Sequence, residues 1–556
     1  SAGSSWRPND ARGAGVVHEV VAKGTEIDAA KAWIKGGGKA VQPWDDKGFK
    51  QPGGGPYHPA GIQNFLVGNA MLRKQSYGNY PAVLNLMKAV YEGIQVPMDA
   101  ALRIETRYFI KTLMTPQAQA MIRSLFLSKQ ELDKGAVRPA GVPKSDPKKV
   151  TVIGAGMMGA GIAYVQALAG IETILIDRTQ EDADKGKAHV ADLLKKRLSR
   201  GQITQEKFDA LLGSVTATTD YDLIKGSDLV IEAVFENREI KADVTKRAEA
   251  QLEAGAVFGS NTSTLPITGL AEASVRPEDF IGIHFFSPVD KMMLVEIILG
   301  EKTGEAAIAK SLDYIMKIKK TPIVVNDGRG FYTSRCFGTY VAEGMAMLEE
   351  GYAPALIDNI GRMTGMPRGP LEMHDDVALD LSVKIAKQTA LDLGDKYQPL
   401  PGSQIVQKMV EELGRYGRKN GMGFYDYDQK PKKIWAGLAE LAPVKINDST
   451  PELVEDQKQR LLYRQAVEVA RCWEEGVIDD PREADVGAIL AWGFAPWTGG
   501  PITMIDQTGL KAFVAQADDY AARYGDRFKV PQLLRDMAAK GETFYGNFAG
   551  KQKAAA

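Results

Sequence analysis

One glycine-rich turn constrains the fold of this chain more than any other feature: Gly154-Ala-Gly156-Met-Met-Gly159. The β-branched run Val150 to Ile153 enters the turn, an apolar helical pattern leaves it, and a second apolar run ends just before Asp177. In dinucleotide-binding folds the first glycine permits the tight turn, the second lets the backbone approach a pyrophosphate, and the third lets the helix lie close on the strand. The pattern therefore predicts a strand–turn–helix–strand unit that binds a dinucleotide.

The chemistry at the two ends of this unit favours NAD over NADP. The helix N-terminus offers unpaired N–H groups and a partial positive charge to the phosphates. Asp177 is placed to accept hydrogen bonds from the adenosine ribose, and the 2′-phosphate of NADP would meet its charge. The residues predicted to contact the cofactor in this unit are Gly154, Gly156, Met157, Met158, Gly159 and Asp177.

Two alternatives remain for the glycine-rich segment. It could be a turn in some other α/β fold. It could also be a membrane span, because Val150 to Ile171 carries no charge over 22 residues. Five glycines, a Gln and a Tyr within that run, and the charged Asp-Pro-Lys-Lys before it, argue against a span.

Composition sets the broad class of the chain. At 556 residues we expect three or four domains. A net charge of −1 gives no sign of nucleic-acid or polybasic membrane binding. Cys336 and Cys472 lie in no C-x-x-C pair, so we expect neither a disulfide framework nor a metal site, and a reducing cytoplasm or organelle matrix rather than secretion. The opening Ser-Ala-Gly-Ser-Ser lacks an initiator Met and is interpreted as the start of a fragment or processed chain.

Strand-like and helical patterns divide the chain into regions. Gly13 to Val21 resembles a short strand, residues 80–132 repeat apolar residues at helical spacing, and residues 137–149 are interpreted as a linker. Residues 150–326 alternate strand-like and helical runs, which predicts a parallel sheet wrapped by helices. After Gly330 helical patterns dominate.

The helical tail contains a repeat. Three landmarks occur twice in the same order: a helix ending in Glu-Glu-Gly, a Gly/Pro corner, and a long helix ending in Gly-Asp. The first set is 340–351, 365–370 and 391–395, and the second set is 463–476, 493–501 and 522–526. Chance similarity among amphipathic helices is the alternative, but the shared order favours an internal duplication.

His284 is the principal candidate for acid–base chemistry. It ends a strand-like segment, and a Ser287-Pro-Val-Asp290 turn then leads into an apolar run that carries Glu296. Such a fold-back can bring Glu296 beside the imidazole, fix its tautomer and stabilise the imidazolium. Removing a hydride from an alcohol carbon requires loss of the hydroxyl proton, which an imidazole can accept near neutral pH. Taken alone, a histidine such as His284 is more often a hydrogen-bonded core residue than a catalyst, and Glu296 could equally be an ordinary strand acid.

Ser263 lies in Ser-Asn-Thr-Ser-Thr, after the strand-like run at Ala256. Loops at the carboxyl ends of strands face the ligand crevice in a doubly wound sheet, so Ser263 could bind a substrate oxygen or the nicotinamide. It could instead cap the next helix.

Five motifs occur in the order and spacing of the L-3-hydroxyacyl-CoA dehydrogenase family: G-A-G-M-M-G-A-G-I-A, I-E-A-V-F-E-N, S-N-T-S, H-F-F-S-P-V and G-x-G-F-Y-x-x-R. The chain resembles most closely the dehydrogenase part of the multifunctional fatty-acid β-oxidation α-subunit. The resemblance is strong over residues 150–556, and residues 1–145 look like the tail of an enoyl-CoA hydratase (crotonase) domain with its connecting helices.

The resemblance implies roles for individual residues. His284 would be the general acid/base with Glu296 as its partner, and Ser263 would contact the substrate 3-oxygen. Glu236 and Lys241 would line the cofactor site. Ser287 and Ser334 stand where the family has Asn, and serine lacks the amide's pair of donors; both are kept as site members, Ser334 catalytic with an undefined role and Ser287 beside the cofactor.

The resemblance also implies an architecture. We expect a Rossmann-type α/β NAD-binding domain followed by two duplicated all-α domains, after a mostly helical N-terminal region. The predicted domains are 1–145 (crotonase tail and linker helices), 146–328 (NAD-binding), 329–440 (helical copy 1) and 441–556 (helical copy 2). The two copies can pack on each other within one chain, so we expect a monomer or a weak homodimer.

The predicted activity is NAD-dependent oxidation of (S)-3-hydroxyacyl-CoA, with an acyl-CoA substrate and a thiolase subunit as a possible partner. We expect no hydratase activity, because the paired glutamates of a crotonase site are not found. A basic run from Lys185 to Arg200 is interpreted as a solvated helix face, with contact to a CoA phosphate as the alternative. Two rival functions are another Rossmann 3-hydroxy-acid dehydrogenase, which a catalytic lysine would mark, and a non-catalytic NAD- or acyl-CoA-binding subunit.

Overall fold

The computed structural model describes residues 5–555, without the side chains of residues 60 and 550–555; the first four residues of the opening segment lie outside it. The chain forms two compact units, Ser1–Gln119 and Ala120–Ala556. In the described part of the first unit the regular elements are helices. They are α1 (Pro8–Gly13), α2 (Glu26–Lys35), α3 (Pro59–Ser76), α4 (Pro81–Gly93), α5 (Met98–Leu113) and the start of α6 (Pro116–Met121).

The prediction of a short strand at Gly13 to Val21 is wrong. The structure ends α1 at Gly13 and continues in turns and bends. A strand needs a neighbouring strand to satisfy its backbone N–H and C=O groups, and residues 5–119 of this structure offer no strand for it to pair with. The helical prediction for residues 80–132 is confirmed: α4, α5 and α6 are followed by a π-helical stretch, Ile122–Ser128, and by α7, Lys129–Asp133.

An eight-stranded sheet forms the centre of the second unit. Its strands are β1 (Lys149–Ile153), β2 (Glu172–Ile176), β3 (Val215–Thr218), β4 (Leu229–Glu232), β5 (Val257–Ser260), β6 (Phe280–Phe285), β7 (Leu294–Leu299) and β8 (Thr321–Asn326). Their order in the sheet is β3-β2-β1-β4-β5-β6-β7-β8, and every pair is parallel except β6 with β7. The strands are buried over most of their length, which explains their continuous apolar runs.

Helices cover both faces of this sheet, as the alternating pattern predicts. They are α8 (Met157–Leu168), α9 (Gln180–Ser199), α10 (Gln205–Gly213), α11 (Arg238–Glu249), α12 (Ile267–Ala271) and α13 (Glu305–Lys317). Helix α8 is hydrophobic nearly all round and almost fully buried, as expected for a helix packed between a sheet and its neighbours. It is therefore a core helix, and no helix among residues 5–555 is long and apolar enough to cross a membrane.

The tail is a duplicated helical structure. Its first copy contains α14 (Thr333–Glu350), α15 (Pro354–Met363), α16 (Pro370–Val377), α17 (Leu379–Leu393) and α18 (Ser403–Glu411). A two-stranded ribbon, β9 (Tyr425–Asp426) with β10 (Lys433–Ile434), and the short α19 (Leu438–Leu441) follow. The second copy contains α20 (Pro451–Glu474), α21 (Pro481–Ala491), α22 (Pro501–Thr508), α23 (Leu510–Tyr524), α24 (Gln532–Lys540) and α25 (Phe544–Ala555).

The two long helices α14 and α20 pack against each other through reciprocal ion pairs. Arg335 on α14 binds Glu468, with Nε to Oε1 at 2.7 Å, and also Glu475. Arg460 on α20 binds Glu343, with Nε to Oε1 at 2.6 Å, and also Glu350. Each arginine thus pairs with two glutamates, which lie eight and fifteen residues after the arginine of the other helix. Such reciprocity is the property of a two-fold interface, here made within one chain.

Candidate active site

The glycine turn after β1 has the geometry that a dinucleotide requires. Gly154 has φ +100°, and a Cβ there would lie 2.6 Å from the carbonyl oxygen of Ala233. A Cβ on Gly159 would lie 1.7 Å from the carbonyl oxygen of Gly154, so only glycine lets α8 approach the strand this closely. A Cβ on Gly156 would meet nothing within 4 Å. The space in front of the α8 N-terminus is therefore open for a pyrophosphate.

Asp177 lies at the carboxyl end of β2, beside the glycine turn. Its carboxylate accepts hydrogen bonds from the backbone N–H of Ala155 and of Arg178, both at 2.7 Å. Two bonds leave acceptor capacity on the carboxylate, which keeps 16% of its surface exposed. The acid is therefore fixed at the turn and able to accept from a ribose hydroxyl. At the start of α8, Met157 is exposed and Met158 is half-buried.

A buried ion network follows β4. Lys241 Nζ donates to both carboxylate oxygens of Glu232 at 2.9 and 3.0 Å, and lies 3.3 Å from Glu236 Oε2. Burial alone would lower the pKa of Lys241, but the nearby charges of Glu232 and Glu236 outweigh it and raise that pKa. Burial would likewise raise the pKa of Glu236, but Lys241 and the Thr262 hydroxyl bring it below its usual value. Both shifts favour the charged forms of Lys241 and Glu236.

Glu236 in turn positions Ser263. Its Oε1 accepts from the Thr262 hydroxyl at 2.6 Å, from the backbone N–H of Ser263 at 2.9 Å and from the Ser263 hydroxyl at 3.3 Å. Asn261 in the same loop accepts the backbone N–H of Phe285 at 2.8 Å, which ties the loop after β5 to the end of β6. The network thus places Ser263 at the sheet edge where His284 also lies.

His284 and Glu296 lie opposite each other on the antiparallel strands β6 and β7. The distance from Nδ1 to Oε2 is 2.9 Å, and Glu296 is completely buried. Glu296 also accepts the backbone N–H groups of Tyr332 and Thr333 at 3.1 and 3.0 Å, and the Thr333 hydroxyl at 2.6 Å. All these donors belong to the N-terminus of α14, whose unpaired N–H groups favour a carboxylate.

This bonding pattern assigns the tautomer of His284. An ionised Glu296 can only accept at Nδ1, so the imidazole carries its proton there and presents a free lone pair at Nε2. Phe286 packs on the ring, with centroids 4.4 Å apart. The histidine is thus a fixed proton acceptor whose positive form would be stabilised by the buried carboxylate.

The structure brings most predicted site residues to one edge of the sheet, but two of them make no side-chain hydrogen bond within the described residues. Ser287 is exposed in the turn between β6 and β7. Ser334 is half-buried, and its hydroxyl makes no hydrogen bond within the described part of the chain. Sequence reasoning missed three residues of the network, namely Glu232, Asn261 and Thr333. Thr333 could have been identified as the first residue of a helix beginning beside a buried acid, and Glu232 as an acid ending an apolar strand.

Two regions of the chain match models of known protein domains, and known relatives match most of its length. Residues 149–328 match the NAD-binding domain of 3-hydroxyacyl-CoA dehydrogenase, and residues 330–427 match the C-terminal domain of the same enzyme family. A fatty acid oxidation complex subunit alpha from Shewanella amazonensis is 35% identical over 98% of this chain and 76% of its own length. The subunit of that name from Psychrobacter cryohalolentis is 38% identical over 84% of this chain and 65% of its own length.

Two solved structures are similar in fold. The dehydrogenase part of multifunctional enzyme 1 from C. elegans is 26% identical, with a TM-score of 0.54 over 74% of this chain and 96% of its own. A 3-hydroxybutyryl-CoA dehydrogenase from Escherichia coli shares the fold at 24% identity, with a TM-score of 0.62 over 71% of this chain and 99% of its own. The glycine turn, the acid after β2 and these matches together show that the chain belongs to the 3-hydroxyacyl-CoA dehydrogenase family and is an NAD-dependent oxidoreductase.

Proposed function

We propose that this protein oxidises (S)-3-hydroxyacyl-CoA to 3-oxoacyl-CoA in fatty-acid β-oxidation, with His284 as the general base. The observation that carries the proposal is the His284–Glu296 pair, in which Nδ1 is bonded to a buried carboxylate and Nε2 is left free. Bound NAD would supply the hydride acceptor. The residues that fit it are the open glycine turn at Gly156 and the acceptor Asp177.

The residues of the chain then account for the proton and for substrate orientation. His284 Nε2 accepts the 3-hydroxyl proton as the C–H bond breaks, and Glu296 stabilises the imidazolium that forms. Ser263 lies in the loop that Glu236 holds, and when substrate binds its single O–H would turn from Glu236 Oε1 to donate to the 3-oxygen. In the reverse reaction the imidazolium returns its proton to the oxygen.

A lysine-based mechanism receives no support from the site. Lys241 is the buried lysine of the cofactor-side network, and it is engaged by two carboxylates that favour its charged form. The amine of a lysine must be neutral to accept a proton as a general base. The His–Glu pair is therefore the better candidate of the two.

The test is NADH formation from NAD and (S)-3-hydroxybutyryl-CoA. We expect turnover in the wild type and a loss of about 10²–10⁴-fold in His284→Ala, the usual contribution of a general acid–base group. Lys291→Ala, at an exposed position in the turn after β6, is a matched control and should retain wild-type turnover. Absence of turnover in a wild type that binds NAD would contradict the proposal.

We further propose the domain division 1–145, 146–328, 329–440 and 441–556, with the first region derived from a crotonase tail. Packing of α14 on α20 within one chain supports a monomer or weak homodimer, because the surface that pairs two copies is already covered. The relatives' name, subunit alpha of a fatty acid oxidation complex, supports a role in fatty-acid oxidation and a partner subunit. The family resemblance implies an acyl-CoA substrate and a thiolase as that partner. Their bacterial sources support a cytoplasmic location.

A further inference from the structure

The two tail copies differ in how the long helix packs against the fifteen-residue helix that follows the Gly/Pro corner. In copy 2 an aromatic cluster fills this space. Tyr463 on α20 stacks on Phe513 of α23, with ring centroids 4.4 Å apart and an interplanar angle of 8°. Tyr520, about two helical turns after Phe513 on α23, packs edge-on against Tyr463 with ring centroids 5.5 Å apart. All three side chains are buried.

The residues equivalent to this cluster in copy 1 follow from the repeat. The reciprocal ion pairs align Arg335 with Arg460, so Gly338 corresponds to Tyr463, three residues after each arginine. Helices α17 and α23 have the same length and follow residues of like conformation, so Leu379 aligns with Leu510. With the same offset, Ser382 aligns with Phe513 and Thr389 aligns with Tyr520. Each aromatic residue of copy 2 is thus replaced by a small residue in copy 1.

The space that these rings would fill is open in copy 1. A Cβ on Gly338 would meet nothing within 4 Å. Helix α17 buries Leu379 alone among its described side chains, whereas α23 buries Leu510, Phe513, Ala517 and Tyr520. Ser382 does not leave a free polar group in the gap, because its hydroxyl is hydrogen-bonded to His374 Nε2 at 2.9 Å. The Thr389 hydroxyl likewise donates to the carbonyl oxygen of Ile385 at 2.8 Å, so both small polar residues of α17 are already hydrogen-bonded at the groove between α14 and α17.

This groove lies along α14, the helix whose N-terminus binds Glu296 of the proposed catalytic pair. Gly338 lies one helical turn after Ser334, and so on the same face of α14. It is five residues after Thr333, which binds the Glu296 carboxylate; at 1.5 Å per residue this is about 7 Å along the helix. Apolar side chains flank the gap, with Val341 on α14 buried and Val383 on α17 partly buried.

We propose that the acyl tail of the substrate lies in this groove and that Gly338, by its missing side chain, sets the chain length the enzyme accepts. The proposal rests on the proposed function, because it needs a 3-hydroxyacyl substrate at His284. A carbon chain extending from C3 along the face of α14 that carries Ser334 would reach Gly338 and displace water from the apolar wall. The second copy, whose groove is filled by Tyr463, would take no tail.

The test compares chain-length profiles. The ratio of kcat/KM for twelve-carbon and four-carbon 3-hydroxyacyl-CoA is measured in the wild type, in Gly338→Ala and in Gly338→Phe, which imports a ring like that of Tyr463. We expect the ratio to fall on the order of tenfold or more in Gly338→Phe and by less in Gly338→Ala, because blocking a hydrophobic subsite removes the contacts of several methylenes. Glu349→Phe adds the same ring at an exposed position of α14 and should keep the wild-type ratio.

The outcomes separate this proposal from the proposed function. A wild type inactive on the four-carbon substrate would overturn the function itself. An active wild type with the same length ratio in Gly338→Phe would overturn the groove alone. Should Gly338→Phe fail to fold, Gly338→Val and Gly338→Ala give a graded series, and no change of the ratio across that series would refute the assignment.

Discussion

Replacing Glu296 by Gln tests the proton transfer at His284, because it keeps the shape of the side chain and changes which atoms donate. Glu296 Oε1 accepts two backbone N–H groups, from Tyr332 and Thr333. Backbone N–H groups can only donate, so the single carbonyl oxygen of the Gln must take this side. The amide NH₂ then faces His284 Nδ1 and the Thr333 hydroxyl, and both can accept from it.

The Gln therefore forces the imidazole into the other tautomer. Nδ1 becomes an acceptor and the proton moves to Nε2, where it blocks uptake of the hydroxyl proton. The Asp-to-Asn change in the serine-protease triad lowers kcat about 10⁴-fold for this reason, which is equivalent to about 5 kcal/mol of activation free energy. We expect a fall of about 10³–10⁴-fold in kcat here. The number of hydrogen bonds at residue 296 is kept, so unfolding temperature and NAD affinity should change little.

The assay is the steady-state rate of NADH formation, with NAD affinity measured by calorimetry and folding checked by thermal unfolding. Thr333→Val is the matched control: it removes one donor to Glu296 but leaves the carboxylate and hence the tautomer. Its kcat should fall far less, by about tenfold, as for loss of one charge-assisted hydrogen bond. A Glu296→Gln enzyme that binds NAD and keeps kcat within tenfold of wild type would refute the tautomer argument.

Three further predictions follow. Asp177→Ala should weaken NAD binding by about 1–3 kcal/mol through loss of one charge-assisted hydrogen bond; unchanged affinity in calorimetry would remove Asp177 from the ribose site. Arg460→Met should lower the free energy of unfolding by about 3 kcal/mol, because it leaves the buried Glu343 with one arginine fewer. The equivalent Arg335 is partly exposed, so Arg335→Met should lower it by only about 1 kcal/mol. Equal losses of the two variants in urea unfolding would contradict this difference. Burial lowers the pKa of His374 to about 4 from its ordinary 6.5, so the unfolded chain binds the proton first as pH falls. The wild type should therefore lose about 3 kcal/mol of unfolding free energy between pH 6.5 and 4 relative to His374→Ile. Parallel curves of unfolding free energy against pH for the two proteins would exclude this titration.

The sequence predicted the parts of this structure that local pattern determines. The glycine turn at Gly154, the strands around it and the His284–Glu296 pairing depend on residues close in the chain, and each was found. The short strand β3, Val215–Thr218, was missed because it forms the sheet edge, where alternation of apolar residues is weak. Conversely, Gly13 to Val21 has strand-like residues, but residues 5–119 contain no strand for it to pair with.

Contacts between distant parts of the chain account for the rest. The family pattern directed attention to Ser334, but the residue that binds Glu296 is its neighbour Thr333, because the first turn of α14 points this hydroxyl at β7. Cys336 and Cys472, which are far apart in sequence, have their Sγ atoms 3.8 Å apart in the α14–α20 interface. No local signal reports such a meeting, since it depends on the pairing of two helices more than a hundred residues apart.

Duplication within one chain explains how the two helical copies could come to differ. In a symmetric dimer both partners carry the same sequence, so a residue that fills a groove in one copy fills it in the other. Here copy 2 carries Tyr463 where copy 1 carries Gly338. Copy 2 also carries Glu483, which accepts the backbone N–H of Val324 at 2.6 Å on the edge strand β8, while Asn326 donates its N–H to the carbonyl of Val477 at 2.9 Å.

These contacts show that the two copies of the tail have different structural roles. Copy 1 supplies the α14 N-terminus that holds Glu296, and it keeps an open groove beside it. Copy 2 fills its own groove and covers the exposed edge of the sheet, where an unpaired strand would otherwise attract another chain. Burial raises the pKa of Glu483 well above its usual value, so burial at that edge disfavours its charged form. Because the two tasks lie on separate copies, a residue can change for one of them without changing the other.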